Sequence, residues 1–332
     1  MAEAQQQPRK LPYVAAITDG VREVLKEQDN AFVIGEDVAG AGSVYGYYKG
    51  LLEEFGPDRI YDTPISEEGI MGVGVGAAAT GCRPIVDLMF MDFIGECMDE
   101  IANQLAKMRY MFGGHARLPV TVLTMAGAGA SLAAQHSQSL EAWLCHLPGL
   151  KVVMPSTPYD AKGLIIAAAR DDNPVFVVLN KVSLAMTGEV PEGAYEVPIG
   201  QAAVLREGRD YTIVATGRMV HEALKAAEQL AELGLDTEVI DPRTLQPFDT
   251  ATVVDSVRRT HRVMIVHEAV RHGGIGAEIA ATIQEEAFDY LDAPVARVGA
   301  PFSPVPFSPA LEAHYVPDAE RIVAEAKRQL GL

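Results

Sequence analysis

The chain reads as an α/β protein built from two three-layer domains with mainly parallel sheets. Two observations predict this. Short β-branched runs alternate with longer helix-periodic stretches, and that alternation stops once and then restarts. The length of 332 residues also suits two domains of ordinary size.

The first series of strands is Ala31 to Gly35, Arg59 to Asp62, Arg83 to Met89, Pro119 to Met125, Lys151 to Met154 and Val175 to Leu179. The clearest helix between them spans Ile94 to Phe112. Its apolar positions Cys97, Ile101, Leu105, Met108 and Phe112 recur at helical spacing, and Gly113-Gly114 supplies a stop. The rhythm breaks after Ser183, where Gly188, Pro191, Gly193 and Pro198 occur with little periodicity, so residues 186–200 read as a linker. The second series has strands at Tyr211 to Ala215, Asp236 to Ile240 and Arg262 to Val266. Its helices span His221 to Leu233, Thr250 to Arg259, Gly276 to Phe288 and Asp318 to Leu330. Pro301 to Pro309 is a rigid extended segment. The expected domains are therefore 13–185 and 201–332, with a flexible N-terminus at 1–12.

Composition narrows the function. A formal net charge of -18 repels nucleic acid and anionic membrane, so neither is an expected partner. Cys82, Cys97 and Cys145 are odd in number and lack metal-ligand spacing, which suits reduced thiols in a cytoplasmic protein. Met1 to Lys10 has no apolar signal-peptide core. The most apolar stretch, Gly69 to Gly81, is shorter than the roughly 20 residues of a membrane span.

Four strings invite a chemical reading. The run from Gly69 to Gly81 does not hold a dinucleotide fingerprint in register. Such small residues serve close helix packing, or the close approach of a flat ligand. Glu67 stands at the start of this run, after Pro64 and a potential N-cap at Ser66. An acid there is stabilised by the helix dipole, or is a functional carboxylate at the carboxyl edge of a parallel sheet. His136 follows the Gly-rich loop Ala126 to Ala130 and is either a binding-site residue or an ordinary surface histidine. His267-Glu268 and His272-Gly273-Gly274 lack the spacing of a zinc helix and fit a strand end with its loop.

Together these strings resemble one family. Gly35-Glu36-Asp37-Val38, Asp62-Thr63-Pro64-Ile65-Ser66-Glu67, His136-Ser137-Gln138 and Pro148 to Val153 are similar to the beta subunit of 2-oxo acid and acetoin dehydrogenases. Asp171 to Pro174, Val239 to Arg243 and Gly273 to Ile279 continue the match in order, from about Tyr13 to the C-terminus. Asn103 to Gly114 leans toward the acetoin branch. The resemblance implies a pyrimidine-type thiamine-diphosphate-binding domain followed by a transketolase-type C-terminal domain. It implies an α2β2 heterotetramer whose alpha subunit holds the diphosphate and Mg2+, which fits the absence here of the family's Gly-Asp-Gly motif. Glu67 would activate the cofactor through its pyrimidine ring, with Ile65, Met89 and Phe93 against that ring. His136 would supply a proton during transfer of the acyl group to lipoamide on a dihydrolipoyl acyltransferase. Val120, Ala168, Asp171 and Asn173 would form a potassium site. The implied substrate is a small 2-oxo acid, such as pyruvate or a branched-chain one, or acetoin. Half of a split transketolase and a non-catalytic assembly subunit are the rival readings. Leu179-Asn180 and Ala130-Ser131-Leu132 depart from the family pattern.

Overall fold

The computed structural model describes residues 9–332. The expectation of a flexible N-terminus lies outside the described residues for 1–8. It fails for Arg9–Pro12, a strand paired antiparallel with Thr187–Val190. That partner strand sits inside the expected linker. The linker is also tied down at Pro191, whose carbonyl accepts a 2.9 Å bond from the Lys162 ammonium. Lys162 is fully buried and pairs with Asp19 at 2.7 Å, so this stretch covers a buried charge.

The chain divides into two compact units. The first comprises residues up to Met125, Leu147–Leu179 and Ser183–Ile199; the second comprises Ala126–His146, Asn180–Val182 and Gly200–Leu332.

In the first unit, six strands lie in the order Lys151–Val153, Val175–Asn180, Thr121–Ala126, Arg83–Phe90, Ala31–Gly35, Ile60–Asp62. Ala31–Gly35 pairs in parallel with a neighbour on each side, Ile60–Asp62 and Arg83–Phe90. The strands Val175–Asn180 and Thr121–Ala126 are buried at every position, as expected of a sheet covered on both faces. The helices Tyr13–Glu27 and Pro158–Arg170 pack closely enough that a Cβ on Gly20 would lie 3.2 Å from the Lys162 carbonyl oxygen. The Glu67–Ala79 helix lies on the Arg83–Phe90 strand, where a Cβ on Gly74 would lie 2.6 Å from Val86.

The helix expected over Ile94 to Phe112 is broken into three pieces. A 3₁₀ stretch covers Met91–Cys97, a π-helical stretch Glu100–Leu105, and a short α-helix Met108–Met111. The apolar spacing identified the buried face for Cys97, Ile101 and Leu105, but not for its last turn, where Met108 is half-buried and Phe112 is exposed. It does not determine which carbonyl each N–H selects. Here Ala106 N–H reaches back five residues to Ile101, and Asp99 accepts bonds from both Asn103 and Gln104. The glycine stop does form: Gly113 and Gly114 have positive φ, and Gly114 N–H bonds the Arg109 carbonyl.

The second unit holds five strands in the order Ala296–Ala300, Val263–Val270, Tyr211–Ala215, Thr237–Asp241, Ala203–Arg206. All pairings are parallel except the last. Alternate strand residues go to opposite faces. Ile213, Val239, Met264 and Val266 join one core with the helices Met219–Glu232 and Ala319–Leu330. Val214, Ile240, Val263 and Ile265 join another with Thr250–Thr260 and Gly276–Ala287. Among the described residues no helix is long and apolar enough to cross a membrane.

Gly35 ends a central strand of the first sheet with no room for a side chain. A Cβ there would lie 2.7 Å from Asp87 Cβ and 2.9 Å from its carbonyl oxygen. Gly35→Ala is therefore expected to destabilise the protein by about 2 kcal/mol, the usual cost of overpacking. A urea-unfolding midpoint equivalent to less than ~0.5 kcal/mol of change would contradict this packing.

Candidate functional site

Three adjacent strands of the first sheet deliver residues to its carboxyl edge, where ligands sit in folds of this kind. Glu36 follows Gly35, the loop to Glu67 follows Asp62, and Phe93 follows Phe90. The first two loops are tied together. Asp62 accepts bonds from Ala39 N–H at 2.6 Å and Gly40 N–H at 3.1 Å, and Thr63 N–H donates to the Gly35 carbonyl at 3.0 Å.

Glu67 is half-buried in the first turn of the Glu67–Ala79 helix. Ser66 occupies the N-cap position but does not cap with its side chain, as its sequence position had suggested. Its hydroxyl donates to the Pro64 carbonyl instead, at 3.1 Å. The free helix end favours the negative charges of Glu67 and Glu68. Glu36 faces the same place. Burial first, then the charges of Glu67 and Asp37, hold its carboxyl above the usual range, against a hydrogen bond from the Ser66 backbone. Ile65, beside Glu67, is 81% exposed, an apolar side chain open to a covering surface. The helix has two distinct faces. Gly74 is pressed on the sheet, while Gly72 and Gly76 are exposed with bare backbone.

Met89 and Phe93 come from the neighbouring strand end and are both half-buried. Phe93 meets Phe90 edge-on, ring centroids 5.9 Å apart. Their aim is set by Asp87, which sequence reasoning missed. Asp87 is buried, accepts Met89 N–H at 2.7 Å and Tyr47 O–H at 2.7 Å, and coincides with a break in strand register between Asp87 and Phe90. Such bulges redirect side chains beside active sites. Burial pushes the Asp87 carboxyl up to about 6 despite these bonds. The available signal was an acid inside the otherwise apolar run Pro84 to Phe90.

Val120, Ala168, Asp171 and Asn173 gather at the opposite, amino edge of the same sheet. The Val120 carbonyl accepts Val175 N–H, and the Ala168 carbonyl accepts Asp171 N–H. Asp171 accepts Asn173 N–H at 2.9 Å and pairs with Lys151. Burial alone would raise its carboxyl, but these bonds outweigh it and hold it below the usual range. Arg109 donates to Asn173 Oδ1 at 2.9 Å.

His136 belongs to the second unit, in a stretch without helix or strand, and is half-buried. Its carbonyl accepts a 2.6 Å bond from the Lys181 ammonium. The loop before it needs Gly127, φ 94°, because a Cβ there would lie 2.5 Å from Asn180 Nδ2 and 2.8 Å from Glu268 Oε1. Asn180 donates to Glu268 Oε2 at 2.9 Å. Glu268 also lines a cavity of about 430 Å³ with Ser137, Gln138, Phe302 and Tyr315. Glu141 is wholly buried nearby in sequence, and no other residue donates to either carboxylate oxygen. Burial, and less strongly the charge of Glu268, push it up to about 7.

His267 is a buried strand residue. Its Nδ1 lies 3.0 Å from the Ala269 carbonyl oxygen, and burial lowers its pKa to about 4. Cβ atoms on Gly274, Gly276 or Gly299 would all collide with its ring, which explains the glycines that follow it. Among the described residues, no cluster of His, Cys, Asp and Glu could hold a metal ion. All three cysteines are free, and Cys97 alone is fully buried.

A parallel-sheet unit with carboxylates and an aromatic ring at its carboxyl edge, and a second, smaller α/β unit, define a class, and comparison with known proteins agrees. Residues 9–186 match the pyrimidine binding domain of transketolase, and residues 200–322 match the transketolase C-terminal domain. The acetoin:2,6-dichlorophenolindophenol oxidoreductase subunit beta of Bacillus subtilis is 49% identical over 95% of this chain and 96% of its own length. The protein of that name from Cupriavidus necator is 46% identical over 97% and 98%. The pyruvate dehydrogenase E1 component subunit beta of Bacillus subtilis is 43% identical over 97% and 99%. A solved split-gene transketolase, described as an inactive beta4 tetramer, superposes with a TM-score of 0.80 at 26% identity, covering 97% of this chain and 99% of its own. The chain belongs to the transketolase-like beta subunits of thiamine-diphosphate-dependent 2-oxo acid and acetoin dehydrogenases.

The folded protein holds a proton on Glu141 to about pH 7, whereas the unfolded chain releases it near 4.5. The native state binds more protons across that window, so this stabilisation is lost as pH rises through the folded value. Glu141→Gln removes the titration. It is expected to exceed the parent in stability near pH 8 by on the order of 2 kcal/mol, with little difference near pH 5, by urea unfolding at both values. An equal difference at the two pH values would contradict a neutral buried Glu141.

Proposed function

We propose that this chain is the pyrimidine-holding half of a thiamine-diphosphate enzyme completed by an alpha subunit in an α2β2 heterotetramer. Its substrate would be acetoin or a small 2-oxo acid such as pyruvate, and its acyl product would pass to lipoamide on a dihydrolipoyl acyltransferase. The observation that carries this reading is the edge built from Glu67, Ile65, Met89 and Phe93. A carboxylate at an uncapped helix start, an 81% exposed isoleucine and an aromatic ring from the next strand suit one flat, apolar ring with a basic nitrogen. The higher identities to the acetoin enzymes' beta subunits favour acetoin over pyruvate.

Thiamine diphosphate, when bound, supplies the carbon nucleophile for the substrate carbonyl. The chain's own residues would do the rest. Glu67 would hydrogen-bond the pyrimidine nitrogen and exchange a proton with it, with Glu36 as a second carboxyl nearby whose raised pKa keeps charge from accumulating. Ile65, Met89 and Phe93 would orient the ring and exclude water from it. His136 would give or take a proton in acyl transfer. The diphosphate and Mg2+ are assigned to the alpha subunit, because this sequence lacks the Gly-Asp-Gly string. The oxygens of Val120, Ala168, Asp171 and Asn173 would hold potassium as a structural ion, since each carbonyl keeps a second lone pair.

The 26% identical split transketolase supports a second reading, half of an enzyme acting on sugar phosphates. One experiment separates the two. The chain is co-expressed with its alpha partner, and acetoin, 2-oxo acids and ketose phosphates are compared as substrates for the parent and Glu67→Gln. Turnover of acetoin or a 2-oxo acid is expected, with Glu67→Gln lower by about 100-fold or more at unchanged complex stability. Turnover restricted to ketose phosphates would establish the second reading. A Glu67→Gln enzyme within twofold of the parent would remove Glu67 from the chemistry.

A further inference from the structure

The segment from Gly127 to His136 has neither helix nor strand to satisfy its backbone, yet it adopts a defined path. Ser131 and Ala133 both lie in the left-handed region, at φ 54° and 61°, which costs energy for residues bearing a Cβ. Something must hold the path in place. Two buried carboxylates do so. Glu268 accepts Ala128 N–H at 2.6 Å. Glu312 accepts Gly129 N–H at 2.6 Å on one oxygen and Ser131 N–H at 2.9 Å on the other, with the Ser131 hydroxyl at 3.4 Å. Glu312 is 2% exposed, so these bonds act away from water.

The placement of Glu312 is itself constrained. It lies in the short helix Pro309–Tyr315, directly after the proline-rich stretch Pro301 to Pro309, and its own N–H bonds the Ser308 carbonyl. Gly129 leaves no slack on the other side, since a Cβ there would lie 3.0 Å from Val182 and 3.2 Å from Arg218. Five residues beyond Ser131, the His136 carbonyl is fixed by Lys181. The segment is thus gripped before the histidine by two acids and at the histidine by a lysine.

We infer that Glu312 is a positioning residue for His136: by taking the N–H groups of Gly129 and Ser131 it holds the loop in the one path that presents the imidazole for proton transfer. The inference rests on the proposed role of His136. It gives the proline-rich segment a task, which is to carry one carboxylate to one loop. It also gives Ser131 a task, because its hydroxyl adds to the same grip.

The test uses the complex assembled with the alpha partner, in parent, Glu312→Ala, Glu312→Gln, His136→Ala and double Glu312→Ala/His136→Ala forms. Turnover with free lipoamide as acceptor, KM for the substrate, melting temperature and amide exchange of peptides spanning 127–136 are measured. Glu312→Ala is expected to lower kcat roughly tenfold, with KM within about twofold, and to speed exchange in that peptide roughly tenfold. Glu312→Gln keeps one acceptor oxygen and should recover part of the loss. In the double variant, Glu312→Ala should add no further loss to His136→Ala. A parental kcat in Glu312→Ala, with His136→Ala impaired, would overturn the inference and leave the His136 role standing. Multiplying losses in the double variant would also overturn it, showing a structural effect independent of His136. Parental turnover in His136→Ala would overturn the His136 role, and the inference with it.

Discussion

Asp87 is a carboxyl group in the middle of a buried strand, and the carboxyl edge of the first sheet depends on how it is satisfied. Its two oxygens take Met89 N–H and the Tyr47 hydroxyl. The first bond coincides with the register break between Asp87 and Phe90, just before the turn that carries Phe93. The second anchors the loop after Glu36. The side chain also occupies the space beside Gly35, which must therefore stay bare. An apolar side chain here could accept neither bond, and the residues proposed to face a cofactor ring would lose their common support.

The same economy recurs with other acids. Each unit places carboxyl groups where they affect one another: Glu36 with Glu67 in the first, Glu141 with Glu268 in the second. In each case burial raises a pKa first and the neighbouring charge adds to it. Glu268 is raised by its own burial as well, against bonds from Ala128 N–H and Asn180. The second unit turns two buried acids on the backbone, with Glu268 and Glu312 taking the N–H groups of Ala128, Gly129 and Ser131 in the loop that leads to His136. An acidic protein of formal charge -18 thus uses part of its acidity inside.

Much of this was legible in the sequence, for physical reasons. Ala31–Gly35 and Tyr211–Ala215 lie where their β-branched runs are bounded by turn residues. The carboxyl-edge position of Glu67 followed from a strand, a proline turn and a helix in succession. Less was legible where one hydrogen bond competes with another at similar energy. The row Cys97, Ile101 and Leu105 told which face is buried but not that the ladder widens there. The proline- and glycine-bearing stretch after Ser183 looked like a linker, because antiparallel pairing with Arg9–Pro12 is a contact across most of the first unit. Glu312 could not be picked out as one acid among many in a helical context, since its partners lie 181 and 183 residues away. Asp87 leaves a visible mark in the sequence, an acid in an apolar strand.

The most direct measurement is calorimetric titration of thiamine diphosphate with Mg2+ into this chain alone and into the chain co-purified with its alpha partner. A half-site lined by Glu67, Ile65, Met89 and Phe93, with no diphosphate anchor of its own, should bind only in the mixed sample. Tight binding by the chain alone would contradict a divided site, as would no binding in a stable complex with the partner.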